Sequence, residues 1–163
     1  MEWTNGDYLI SDDSTRLDLK RICQLLANTY WADRRSVEAI ATSIEKSISF
    51  GVYHADRQIG FARIVTDHST FAWICDVIID PAYRGQALGK WLVQTVISHP
   101  AAQVSLQLLR TKDAQTLYEQ AGFVRQECLT RRPQPGGCVG NALGLIGEVE
   151  ASVFQKSTVE SRA

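Results

Sequence analysis

The sequence predicts a mixed α/β fold: a mostly antiparallel central sheet with helices on its faces. Three strand-like runs stand close together, FGVYHA (residues 50–55), QIGFARIVTD (58–67) and FAWICDVIID (71–80). Only Asp56-Arg57 and the stretch HST separate them, and connections that short force antiparallel neighbours. The passage over residues 71–109 then reads strand, helix, strand, long enough for a right-handed crossover to a parallel neighbour. Helical stripes flank the strands on both sides.

The elements run in order along the chain. Residues 8–10 are a short strand. Asp12, Asp13 and Ser14 offer caps for a first helix, in which Leu17, Leu19, Ile22, Leu25 and Leu26 recur near helical spacing. That helix should end near TYWADRRS, where Ser36 is placed to cap a second helix carrying Val37, Ile40, Ile44 and Ile48. After the three strands, a helix is expected over residues 85–99, with Leu88, Trp91, Leu92, Val96 and His99 on one face and Pro100 as its stop. VSLQLL (104–109) reads as a strand, DAQTLYEQAG as a short helix closed by Gly122, and FVRQECLTRR as a final strand or hairpin. The expected order is β-α-α-β-β-β-α-β-α-β.

Length and composition set bounds. A chain of 163 residues favours one domain with a real core. Its 45% hydrophobic and 21% charged content is that of an ordinary globular protein. Seventeen Lys and Arg nearly balance eighteen Asp and Glu, so the net charge of −1 argues for neither nucleic acid nor a membrane surface as partner. No apolar run approaches the roughly 20 residues of a membrane span, and MEWTNGDYLI lacks the basic start of a signal peptide. Cys23, Cys75, Cys128 and Cys138 lie far apart, with no Cys-x-x-Cys, so no metal site is expected. A reduced, cytoplasmic protein is the default. Residues 1–132 form the expected domain; residues 133–163, rich in Gly, Pro and Ser with one apolar patch at 139–146, read as a flexible tail, with an added helix or a segment packing on a neighbour as alternatives.

The chemistry concentrates in DPAYRGQALGKWLVQ (80–94), a strand end, a proline turn and a helix start. A helix start presents unpaired N–H groups and partial positive charge, which suit an anion. Arg84 and Lys90 add cations, and Gly85 and Gly89 admit close approach. The triphosphate loop pattern fails: three residues separate Gly85 from Gly89, and Trp91 follows Lys90 where a hydroxyl would be needed. The dinucleotide fingerprint is absent. A third pattern, Arg or Gln, two residues, Gly, one residue, Gly or Ala, fits RGQALG except at Ala87. Ala87 is small, and a right-handed helical conformation is expected there.

That pattern resembles the signature of the GNAT N-acetyltransferase superfamily. DVIIDPAYRGQALGKWL looks like the family's coenzyme-holding strand, loop and helix, and TKDAQTLYEQAGF like its later helix, where a tyrosine sits near the coenzyme sulfur. The likeness covers about residues 8–132. It implies acetyl-CoA as co-substrate, its pyrophosphate on Arg84, Gly85, Gln86, Ala87, Leu88, Gly89 and Lys90, and its pantetheine arm on the main chain of Val77, Ile78 and Ile79. A backbone N–H near Val77 would stabilise the oxyanion, and Tyr118 would protonate the leaving thiolate.

The general base is less determined. Some members of the family have a glutamate where this chain has Cys75; Asp76 matches the aspartate that comes next. Asp76 could accept the proton, bind the substrate ammonium or hold a water. Cys75 has no His or Lys beside it in sequence, so a buried structural thiol is expected and direct transfer in a ternary complex is preferred to a ping-pong route. Tyr30 and Trp31 could wall the acceptor site, Arg34 or Arg35 could bind a carboxylate, and Trp73 lies on the strand facing the site. This mixture suits a small-molecule amine. The alternatives are a protein or peptide amine, or a non-catalytic acyl-CoA-binding domain. A homodimer is compatible with the sequence.

Overall fold

The computed structural model describes residues 1–131. The tail expected over 133–163 lies outside the described residues. Residues Met1–Val124 form one compact unit. Residues 125–131, in a separate unit, carry no regular secondary structure.

Six strands form one sheet in sequence order. β1 (Glu2–Asn5) and β2 (Tyr8–Ser11) make an antiparallel hairpin. Gly6 in its two-residue turn takes φ 57°, a conformation glycine adopts freely. The sequence pattern does not reveal β1, which is short and almost wholly exposed and so shows no alternation. α1 (Leu19–Ala27) and α2 (Val37–Glu45) come next. Asp18 caps α1; Asp13 caps only a short 3-10 turn before it. Ser36 caps α2, as its position suggests, accepting from the Ala39 N–H at 3.2 Å.

β3 (Ile48–His54), β4 (Arg57–Thr66) and β5 (Phe71–Ile79) pair antiparallel through tight turns. α3 (Leu88–Ser98) returns the chain to β6 (Leu106–Leu109), which pairs parallel with β5. α4 (Gln115–Glu119) closes at Gly122, whose φ is 90°. The last expected strand is not formed: residues 123–131 carry no regular secondary structure, and Val124 and Leu129 are exposed. Alternating chemistry alone does not make a strand without a partner to complete its hydrogen bonds.

The sheet buries both faces. Phe50, Val52, Ile64 and Ile74 pack with Leu88, Leu92 and Val96 of α3. On the other face, Phe61 and Ile78 pack with Ile22, Leu25 and Leu26 of α1 and Ile40 of α2. Each fully buried side chain of this size contributes about 1.5–3 kcal/mol.

Two irregularities interrupt the pairing of β5. Arg63 pairs with Cys75 but Phe61 with Ile78, so β5 carries one extra residue there. Asp76 sits in this bulge at φ 54°. The pairing of β5 with β6 also ends at Ile74 and Leu109, although β5 continues to Ile79. The two parallel strands part, leaving one edge of β5 open.

Candidate functional site

A cleft of about 680 Å³ opens where the strands part. Val77, Ile78 and Ile79 form its floor; Arg84, Gly85, Ala87, Leu88, Gly89 and Lys90 form one wall. Asn28, Thr29, Tyr30 and Trp31, after α1, form a second wall, and Asp113, Ala114, Leu117 and Tyr118 a third. Tyr83 completes the lining.

The floor is backbone chemistry. The Asp80 N–H donates to the Ile59 carbonyl at 2.7 Å, so Asp80 faces β4. Peptide groups alternate along a strand, which turns those of Ile79 and Val77 toward the parted side. There β6 no longer supplies partners. Gly60 lets β4 lie close beneath: a Cβ there would stand 2.9 Å from the Ile78 carbonyl oxygen and 2.7 Å from Ile79 Cδ1. The junction is pinned by Asp80, which accepts from the Ala82 N–H at 3.0 Å and pairs with the Arg21 guanidinium.

The loop wall differs from the expectation at Ala87. The residue is left-handed, φ 58° and ψ 6°, not right-handed, because it is the N-cap that turns the loop into α3. α3 therefore begins at Leu88 and not at residue 85. A left-handed alanine costs about 1–2 kcal/mol, which is why glycine suits this place. Gly85 takes φ 81°. Ala87 supplies no side-chain cap, so the first N–H groups of α3, at the cleft wall, have no capping acceptor. A Cβ on Gly89 would meet no protein atom within 4 Å. Nothing in the fold requires glycine there, and glycine in a helix costs about 0.5–1 kcal/mol against alanine. Close approach of a ligand to the helix start would explain it. These residues fit an anionic diphosphate. Gln86 is the exception: it does not line the cleft, and its Oε1 accepts from the Tyr8 hydroxyl at 2.6 Å.

Tyr118 is buried on the opposite wall, with Phe123 edge-on at 6.0 Å. Burial pushes its phenol up to about 12, with smaller contributions from Tyr30 and Asp113. It therefore keeps its proton throughout the neutral range. Tyr30 ties two walls together: its oxygen accepts from the Lys112 N–H at 2.7 Å, and its ring meets Trp31 edge-on at 4.9 Å. Tyr30 and Trp31 are 49% and 37% exposed, so they are cleft rim and not core.

Besides Gln86, the expected acceptor-site residues Arg34, Trp73 and Asp76 lie outside this lining. Arg34 is exposed on the α1–α2 loop, and Trp73 is half-buried on β5. Asp76 is buried, and its Oδ2 accepts from Arg63 Nε at 2.6 Å and from Arg35 Nη1 at 2.8 Å. The guanidinium at this site is thus that of Arg35, joined by Arg63. The role of Arg63 is hidden in the sequence because a single arginine in the strand QIGFARIVTD looks like any solvent-facing cation. Cys75 is half-buried, and burial pushes its thiol up to about 11, the reverse of a nucleophile's environment. Asn28, Thr29, Tyr83, Asp113, Ala114 and Leu117 also line the cleft without being expected; Tyr83 lies inside DPAYRGQALGKWLVQ, Thr29 inside TYWADRRS and the last three inside TKDAQTLYEQAGF, so those motifs carried a signal for them, and only Asn28 had none.

Among the described residues, no helix is long and apolar enough to cross a membrane, and His, Cys, Asp and Glu nowhere cluster as three or more potential metal ligands.

Comparison with known proteins agrees with this geometry. A family profile described as an acetyltransferase (GNAT) domain matches residues 45–125. The chain is 33% identical over 125 residues to ycf52 of Pyropia yezoensis, described as an uncharacterized N-acetyltransferase, covering 72% of this chain and 70% of that one. It is 38% identical over 82 residues to the histone acetyltransferase TAP1 of Glycine max, covering 50% of this chain and 33% of that one. A crystal structure from Xanthomonas campestris pv. campestris, assigned to the GNAT family, superposes with a TM-score of 0.73 at 33% identity, covering 82% of this chain and 97% of that one. The chain spans 31% to 63% of the length of four curated relatives it matches.

Proposed function

The chain belongs to the GNAT acetyltransferase family, and on that premise we propose that it transfers the acetyl group of acetyl-CoA directly to the primary amine of a small molecule in a ternary complex. The observation that carries this reading is the juxtaposition, in one cleft, of an uncapped helix start, an open strand edge and a buried phenol.

Each chain element has a task. The N–H groups at the start of α3, with Arg84 and Lys90 beside them, hold the coenzyme diphosphate. The open peptide groups of Val77 and Ile79 bind the pantetheine arm, and the Val77 N–H faces the oxygen that gains charge. Acetyl-CoA, when bound, supplies the activated thioester. Tyr118 donates a hydrogen bond to the departing sulfur. At about 12 its phenol is a weaker acid than free tyrosine, so donation strengthens as charge builds on sulfur.

No base is assigned. Asp76 has one oxygen clamped by two guanidiniums, and it acts here by holding Arg35, Arg63 and the bulge that aims Val77. The ammonium loses its first proton to water before attack, so the rate should rise with pH toward the amine's own pKa; the second proton leaves nitrogen as the tetrahedral adduct collapses and balances the one delivered to the departing sulfur. The test is incubation with acetyl-CoA and a broad amine panel, following free thiol. Release dependent on the amine supports the reading; coenzyme binding by calorimetry without release for any amine would replace it with a non-catalytic acyl-CoA-binding role. The likeness to a protein named a histone acetyltransferase favours peptide amines as the second reading. A peptide library acetylated in preference to every free amine would select it.

A further inference from the structure

One row of side chains crosses three strands on the face that carries α1 and α2. Ser49 stands opposite Arg63, and Arg63 opposite Cys75. Val65 and Trp73 flank the row outward, and the buried pair Phe61 and Ile78 flanks it inward. Arg63 and Arg35 both donate to the same oxygen, Asp76 Oδ2.

Two deficits coincide in this row. The first is charge. Two guanidiniums against one carboxylate leave a surplus positive charge, and among the described residues neither arginine pairs with a second carboxylate. Asp33 and Arg34 on the same loop are exposed and cancel one another. The Arg63 side chain is only 11% exposed and that of Arg35 31%, so water screens this surplus only in part. The second is a hydrogen bond. Ser49 is 4% exposed, and its hydroxyl has no partner. A buried hydroxyl without an acceptor is rare in a folded protein. Directly opposed strand residues have Cβ atoms about 5 Å apart, which sets the Ser49 hydroxyl beside the stem of Arg63, so that one small group lying along the row would answer both deficits. That group must accept hydrogen bonds and carry negative charge.

The row also has an address. Cys75 lies two residues before Val77, which lines the cleft, and the Asp76 bulge stands between them. We propose that the row anchors the acceptor: the amine substrate carries a carboxylate, held by Arg35 and Arg63 with Ser49 Oγ donating to it, while its amino group reaches Val77. The substrate class is a short ω-amino carboxylate, and polyamines are rejected by the like charge. This rests on the acetyltransferase reading of the cleft.

The test separates the two. CoA-loaded protein is titrated calorimetrically with N-acetyl-γ-aminobutyrate and with its carboxamide, which differ only in the anion. The carboxylate is expected to bind at least about 10-fold tighter. Arg35→Gln should erase about 10-fold of that preference and Ser49→Ala about 5-fold, with carboxamide and CoA affinities unchanged. Equal affinity for the two ligands, or variants that weaken both alike, would overturn the anchor. In parallel, acetyl transfer to γ-aminobutyrate, propylamine and spermidine is measured. Transfer that favours spermidine, with no carboxylate preference in binding, removes the anchor and keeps the acetyltransferase. Discrimination in binding with no transfer to any amine keeps the anion site and removes the acetyltransferase.

Discussion

In the proposed ternary complex the two ends of the site are built from different materials. The coenzyme end is made of backbone: the uncapped start of α3, left-handed turns at Gly85 and Ala87, and the open edge of β5. The proposed acceptor end is made of side chains: Arg35 from a loop, Arg63 from β4 and Asp76 from a bulge in β5. Backbone recognition is indifferent to most side chains but intolerant of added bulk. Side-chain recognition depends on charge balance, and it is set by register. The two ends should therefore fail in different ways.

The largest effect is expected at the coenzyme end. Gly89→Glu puts bulk and negative charge where Gly89 now meets open space. Acetyl-CoA affinity should fall by at least about 1,000-fold, equivalent to about 4 kcal/mol, with the fold intact by circular dichroism. Unchanged affinity would show that the anion binds elsewhere.

At the proposed acceptor end, Asp76→Asn keeps the shape and the tolerance for positive φ but removes the carboxylate that both Arg35 and Arg63 hold. Leaving a buried partner uncompensated costs about 3–5 kcal/mol, measurable by urea unfolding. A change below about 0.5 kcal/mol, the ordinary range for surface substitutions, would mean that water already screens the pair.

Tyr118→Phe should lower kcat by about 100-fold with little change in coenzyme affinity, because only the donor is lost. The phenol titrates near 12, raised by burial above its usual 10. It therefore stays protonated as pH rises past 10, and the wild-type rate should show no loss of this donor below about pH 11. An alkaline loss centred near pH 9 that vanishes in the Phe variant would contradict this assignment. Linkage gives the same sign for stability. A raised folded pKa favours the fold fully below pH 10, and that contribution is lost as pH climbs toward 12.

The smallest effect returns to the backbone. Ala87→Gly relieves a left-handed alanine. It should raise stability by about 1 kcal/mol, or Tm by about 2–4 °C, while keeping coenzyme affinity. A fall in Tm would mean that the greater freedom of glycine in the unfolded chain outweighs the relief.

The same division explains what was legible in the sequence. The coenzyme loop could be read because its need for glycine and for a helix start is local, and RGQALG displays both. The conformation of Ala87 was misread because the letter alone does not reveal whether the helix begins at residue 85 or at Leu88. The central strands and the Ser36 cap are local patterns too, and they could be read. Arg63 could not. Its meeting with Asp76 depends on the register of β4 against β5 and on one extra residue in a strand, and no pattern of letters marks either.

The central claim is acetyl transfer within one ternary complex. The direct measurement is a single turnover with acetyl-CoA labelled in the acetyl group, an accepted amine and purified protein in excess. Label is predicted to enter the amine product in proportion to thiol released, with none remaining on the protein after acid quench. Label retained on the protein at Cys75, or thiol released without labelled amine, would contradict direct transfer.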